Sequence, residues 1–393
     1  MTSRHGSGSG GARIAPWIIV TIVVGLVLAG AVTAYLLITR DSKNTVACSS
    51  QVVLQLVAAP GAAPGIDAAA AAFDTTNPVA RSACVTTDVT TAPGAQTASD
   101  LAGGWIAQPS PGPAVWFPDS AADLATLEAA DSAMTAGRNP APMAGSPVVL
   151  AVRTDDAAAL TAASLQWKDL PAAAGPNGSV TLADGRKLIL ALPDPTTNRA
   201  TSYALQSVLA GSTSTTGVDA SLVAANAAPL AGLDDGGPAR QPASTLDALQ
   251  DLASGGAGFA AVPIVAAEFE QLAQQNPGLG VVALGGSTAG DQIYGVPITA
   301  SWVDPTMDDA ASAFLAYLRG TAGQQILTEN GLKVAPDTGV QLADGGAAVA
   351  TALAAAIGAP TDDASTSGSE PSGAQPTGAE ASTTDPASTA PTG

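Results

Sequence analysis

The stretch Ala114-Val115-Trp116-Phe117-Pro118-Asp119-Ser120 is a short apolar run halted by a proline, with a serine placed to cap a helix. Residues 121–130 are rich in Ala and Leu and carry Asp123 in the first turn, where a negative charge suits the positive end of a helix. A strand closed by proline and succeeded at once by a capped helix is the unit of an α/β sheet. Outward in both directions the unit recurs. Val52-Val53-Leu54-Gln55-Leu56-Val57-Ala58 reads as a buried strand stopped by Pro60-Gly61, before a helical stretch at 67–73. Cys84-Val85-Thr86-Thr87-Asp88-Val89 and Pro147-Val148-Val149-Leu150-Ala151-Val152 are further strands. Asp184-Gly185 sets a hairpin-type turn before an expected strand at 187–192, and later strands are expected at 258–262 and 280–284. Residues 308–319 place Ala311, Phe314, Leu315 and Leu318 on one helical face, and 347–357 reads as a last helix. About 285 residues of alternating strand and helix exceed what one core usually holds, so two lobes are expected.

Upstream, residues 14–38 form a charge-free apolar run between Arg13 and Arg40, with Trp17 and Tyr35 near its ends. At about 1.5 Å per residue such a run spans a hydrocarbon core of roughly 30 Å. Arg4 and Arg13 precede it without an acid, which orients residues 1–13 to the cytoplasm and the main domain outward, on a single-pass plasma-membrane anchor. A cleaved signal peptide is the rival, but the run is too long and ends in Leu36-Leu37-Ile38 rather than small residues. Residues 39–50 then serve as a linker. At the other end, residues 360–393 are Ser, Thr, Pro, Gly, Ala and a few acids, a low-complexity tail that cannot bury a core and is expected to be disordered.

Charge and cysteine share the same division. All 33 acidic residues come after residue 39, whereas Arg4 and Arg13 of the 14 basic residues precede it, leaving that part about −21. A surface so poor in Lys and Arg has no patch to neutralise phosphate, which excludes nucleic acid as a partner. The two cysteines, Cys48 and Cys84, both lie beyond the apolar run, where an oxidising compartment lets them pair; two buried free thiols are the alternative. The single histidine, His5, is on the inner side, and two cysteines do not complete a zinc shell, so no metal or other cofactor is expected. No catalytic residue is expected either. A Ser-His dyad has no histidine outside the membrane, no nucleophile elbow or P-loop appears, and Asp155-Asp156 and Asp234-Asp235 read as solvated loops.

Four segments end a strand in small or hydroxyl residues: Ala58-Ala59-Pro60-Gly61, Phe117-Pro118-Asp119-Ser120, Ala144-Gly145-Ser146-Pro147, and Pro193-Asp194-Pro195-Thr196-Thr197. Ligands of open α/β sheets bind beyond the carboxyl ends of strands, where helix N-termini and hydroxyls suit an anion. Each segment alone is also what plain helix capping looks like.

In order and spacing these segments resemble the bacterial extracellular solute-binding proteins of the type 2 periplasmic-binding fold, the molybdate/sulfate-binding-like group, over about residues 52–335. Trp116-Phe117-Pro118-Asp119-Ser120 followed by Gly145-Ser146-Pro147-Val148-Val149-Leu150 matches best. Gln166-Trp167-Lys168-Asp169-Leu170, Leu192-Pro193-Asp194-Pro195 and Tyr294-Gly295-Val296-Pro297-Ile298 look like further family motifs. The chain is similar in particular to membrane-anchored actinobacterial forms, in which a comparable pair of cysteines precedes a von Willebrand factor A domain. That domain is not read here: Asp363-Ala364-Ser365-Thr366-Ser367 spells its metal motif, but no apolar strand precedes it. The resemblance implies two lobes (51–145 with 298–340, and 146–297), two crossing strands, and a possible helix at 341–359. It implies a small, possibly anionic solute in the cleft, held near Pro60, Gly61, Ser120, Ser146, Thr196 and Thr197. Two turns depart from the pattern: Pro60-Gly61 lacks a hydroxyl, and Thr196-Thr197-Asn198-Arg199 is bulky. A second reading therefore stays open, a degenerate scaffold that serves as an interaction module for another cell-envelope protein.

Overall fold

The computed structural model describes residues 48–358 apart from 107, 109–110, 138–139, 214, 216, 235–240 and 256. The expected membrane span at 14–38, the segment before it, most of the linker and the tail at 360–393 lie outside the described residues. Among the described residues no helix is long and apolar enough to cross a membrane.

The strands in chain order are β1 (Ser50–Ala58), β2 (Val79–Ala80), β3 (Ala83–Thr91), β4 (Val115–Phe117) and β5 (Ala144–Arg153). They continue as β6 (Ala261–Val265), β7 (Leu279–Val282), β8 (Gly290–Ile293), β9 (Val296–Pro297) and β10 (Lys333–Val334). Six helices matter below: α1 (Ala63–Thr75), α2 (Ala121–Asp131), α3 (Arg199–Thr213), α4 (Ala266–Leu272), α5 (Pro305–Arg319) and α6 (Gly346–Ile357).

The first sheet has the order β2-β3-β1-β4-β9. β1 runs parallel to β3 and β4, which requires crossover connections, and α1 supplies the first of them. Leu54, Leu56 and Ala58 alternate along β1 into the core while Val53 faces water. Ile66, Ala69, Ala70 and Phe73 form the buried stripe of α1. Against it packs α5, whose Asp304 cap accepts from the N–H groups of Thr306 and Met307. The Phe73 and Phe314 rings meet edge to face at 5.3 Å. Cys48 and Cys84 are joined in a disulfide with Cα atoms 5.4 Å apart, tying the start of β1 to β3.

The second sheet is organised by β5, buried from Ala144 to Val152. Its first residues pair antiparallel with β8, Ala144 opposite Ile293 and Pro147 opposite Gly290, and its far half pairs with β6 and β7. Ala144 and Ile293 belong to the first lobe's core, whereas Val148, Leu150 and Val152 belong to the second's. β5 and β8 thus pass side by side from one lobe to the other. Beyond them, α6 inserts Val349, Leu353 and Ile357 into the second core.

Three sequence expectations change. Asp155 and Asp156 lie in the first turn of a helix, Thr154–Ala163, rather than in a solvated loop, and Asp156 is buried with its carboxylate 3.0 Å from Arg186. Residues 187–192 do not form a ladder strand; they contribute only the bridges Thr181↔Lys187 and Leu190↔Ala261. Pairing with β6 stops at its first residue, Ala261: the Leu192 N–H bonds to the side chain of Gln241, and Pro193 ends the run. Ser146 does not end a strand. It sits inside β5, opposite Asp291 of β8, because the apolar run of β5 extends back past Pro147 to Ala144.

Candidate functional site

Strand ends and helix starts of both lobes converge on a cleft. A cavity of about 460 Å³ is lined by Pro60, Asp119, Ser120 and Asp123 from one side and by Thr196, Thr197, Arg199 and Tyr203 from the other. Asp344 and the first turn of α6 close its end. A second cavity of about 400 Å³ opens beside it, walled by Asn198, Ser244, Thr245 and Glu268; Pro60, Thr197 and Arg199 line both.

Arg199 dominates this geometry. It is the first residue of α3, where a cation runs against the helix dipole, and acids compensate it. Its Nη1 bonds to the Asp119 carboxylate, and Nη2 lies 3.2 Å from Asp291. Burial works against the charged guanidinium, but Asp291 and Asp119 hold its pKa above the ordinary value. Asn198 caps the helix, its Oδ1 accepting from the Thr201 N–H at 2.9 Å.

The approach is possible because position 61 is glycine. A Cβ there would overlap Asp291 Oδ2 and would lie 2.9 Å from Asp119 Oδ2 and 3.1 Å from Arg199 Nη1. The Gly61 N–H, freed from any side chain above it, donates to Asp119 Oδ2 at 3.0 Å. Asp291 is fully buried, with Arg199 Nη2 3.2 Å from its Oδ2. Burial pushes its pKa up to about 8, Arg199 opposing and Asp119 adding to the rise. Asp123 rises to about 7, mainly through burial and then through its neighbours Asp119 and Asp344.

Ser120 is the N-cap of α2: its Oγ accepts from the Ala122 N–H at 3.0 Å and donates to Asp344 Oδ2 at 2.8 Å. Asp344 also accepts from Gln206 of α3 and from the Gly346 N–H, so one carboxylate joins α2, α3 and the start of α6. Thr196 and Thr197 stand exposed on the cavity rim, their hydroxyls donating to Asp194. Ser146 is elsewhere. It is fully buried, its Oγ accepts from the Ala267 N–H of α4 at 2.8 Å, and it is not part of the cavity wall. The structure therefore brings Pro60, Ser120, Thr196 and Thr197 to one cavity wall, sets Gly61 behind it against Asp119, and leaves Ser146 out of it. Sequence reasoning passed over Arg199, Asp291 and Asp344. A basic residue in a helix's first turn was the available signal for the first; nothing local distinguished the other two.

Comparison with known proteins bears on the whole of this architecture. The sulfate-binding protein SubI from Mycobacterium tuberculosis H37Rv superposes with a TM-score of 0.51 at 17% identity, covering 78% of this chain and 96% of that one. Iron-bound HitA from Pseudomonas aeruginosa gives 0.50 at 15% identity, covering 78% and 99%. The open ferric iron-binding protein A of Mannheimia haemolytica gives 0.51 at 12% identity, covering 78% and 96%. At these identities the likeness is one of fold, the two-lobe α/β periplasmic-binding fold. No curated protein sequence matches the chain. Residues 54–333 do match a family described as bacterial extracellular solute-binding protein. The chain belongs to that family of bacterial extracellular solute-binding proteins.

Proposed function

We propose that the protein is a solute receptor of the cell envelope, tethered by the apolar segment 14–38 and holding a small polar solute between its lobes. The observation that carries the reading is the cavity of about 460 Å³, walled by strand-end turns and helix N-termini from both sides of the cleft. Its contacts are assigned to Pro60, Gly61, Ser120, Thr196 and Thr197, with Arg199 between them. Ser146 acts through position, anchoring α4 to β5 behind the cleft. A thermal-shift screen of the full chain in detergent, against oxyanions, sugars, amino acids and metal ions, tests the reading. A solute at 100 times its dissociation constant adds about 2.7 kcal/mol of stability. The same shift should vanish in Thr197→Trp, which fills the cleft from its rim; a screen without any shift refutes the proposal. Recovery of the chain in the membrane fraction, with residues 14–38 retained in the mature protein, tests the tether.

The scaffold reading has one observation in its favour: the hydroxyls of Ser120, Thr196 and Thr197 are already donated to the chain's own aspartates. It predicts no solute in the screen and a cell-envelope protein co-purifying with the full chain after crosslinking.

A further inference from the structure

Four donors that a bound anion could use stand at the cleft, and these are already bound to carboxylates of the chain itself. The Gly61 N–H and the Arg199 Nη1 meet on Asp119 Oδ2. The Ser120 hydroxyl and the Gly346 N–H meet on Asp344. A backbone N–H paired with a guanidinium or with a hydroxyl on a charged oxygen group is a usual holder of an oxyanion. We propose that Asp119 and Asp344 are specificity-determining residues: their carboxylates take the places of a bound oxyanion and turn the cleft away from anionic solutes. The proposal rests on the solute-binding reading and narrows it.

The Gly346 N–H bond to Asp344 is a local turn at the start of α6, but the other contacts are not local capping. Asp119 is 58 residues from Gly61 and 80 from Arg199, and Asp344 is 224 residues from Ser120. Gly61 and Asp119 meet because β1 and β4 are neighbours in one sheet, whereas Arg199 reaches Asp119 from the first turn of α3. A hydroxyl has one proton, and that of Ser120 is committed to Asp344 while its oxygen accepts from Ala122. Arg199 stands between Asp119 and Asp291, so its single charge is matched before any solute arrives. An anion entering the cavity would instead face the carboxylates of Asp119, Asp123 and Asp344 on its wall.

Calorimetric titration of the full chain in detergent with sodium sulfate tests this. The parent should bind sulfate no more tightly than the millimolar range. Asp119→Ala frees the Gly61 N–H and one face of Arg199, and sulfate affinity should rise by roughly a hundredfold; Asp344→Ala should raise it by roughly tenfold. Near-UV circular dichroism checks that the variants are folded. Folded variants that take sulfate no better than the parent overturn the proposal. So does saturable sulfate binding by the parent at micromolar concentration, a result that needs no variant to fold. Asp119→Asn, which keeps the side chain's shape without its charge, should gain part of the affinity. A purely structural ion pair would predict lost stability with no gain of binding. A neutral or cationic solute that stabilises the parent leaves the solute-binding reading intact whatever sulfate does, so the two fail separately.

Discussion

Replacing Asp291 by asparagine should make the protein more stable at alkaline pH, although the substitution removes one arm of an ion pair. Asp291 is fully buried, and its pKa stands at about 8 against an ordinary value of 3.8. That value already includes the attraction of Arg199, so burial outweighs the pair. The sign comes from proton counting. Between those two pKa values the folded state holds a proton that the unfolded chain has released, so stability falls as pH rises. The contribution is whole below about pH 3.8 and is lost as pH rises through about 8. The slope is roughly 1.4 kcal/mol per pH unit, which gives roughly 3–4 kcal/mol between pH 5 and pH 8. Asparagine has the same outline and never ionises, so the variant lacks this slope. Asp123, with its pKa near 7, titrates in both proteins and largely cancels in the difference. The assay is urea unfolding of parent and variant at unit steps from pH 5 to pH 9, with stability taken from midpoint and slope. The parent-minus-variant difference should fall steadily to pH 8 and then flatten. Parallel profiles, or a difference that rises with pH, would mean that Asp291 is ionised and held by Arg199 throughout, and the reasoning would fail.

Three further outcomes are expected. Gly61→Ala drives a methyl into Asp291 and Asp119 and should cost roughly 1–3 kcal/mol in unfolding free energy, the usual range for overpacking. Ser146→Ala strands the buried N–H of Ala267 and should cost roughly 1–3 kcal/mol while leaving solute affinity unchanged, because the hydroxyl lies behind the cavity. If affinity falls instead, Ser146 belongs to the site. Cys84→Ser opens the link between residues 36 apart in sequence and should destabilise the fold by about 3–4 kcal/mol in denaturant titration.

The chain's local pattern determined a good deal. The apolar run before Pro118, the Ser120 cap and the acid in the first turn of α2 describe a strand and a helix whose form depends on neighbours a few residues away. The same holds for β1, although Val53 of the run read as buried faces water, and for α5, whose four apolar residues mark the inner face while the helix starts three residues before the expected 308–319. Family-level motifs then carried the two-lobe arrangement. Pairing partners were another matter. Residues 187–192 have the composition of a strand, yet they meet β6 only at its first residue, Ala261, and beyond that the Leu192 N–H turns to the side chain of Gln241. Ser146 has the look of a strand-ending hydroxyl, but which way it points was decided by β8 lying alongside and by α4 arriving from residue 266. The electrostatic character of the cleft was least legible of all. Asp119, Arg199, Asp291 and Asp344 are scattered over more than 220 positions, each ordinary where it stands. Only the fold brings them within hydrogen-bond and ion-pair distance, and only burial, a property of the packed whole, moves Asp291 to a pKa of about 8.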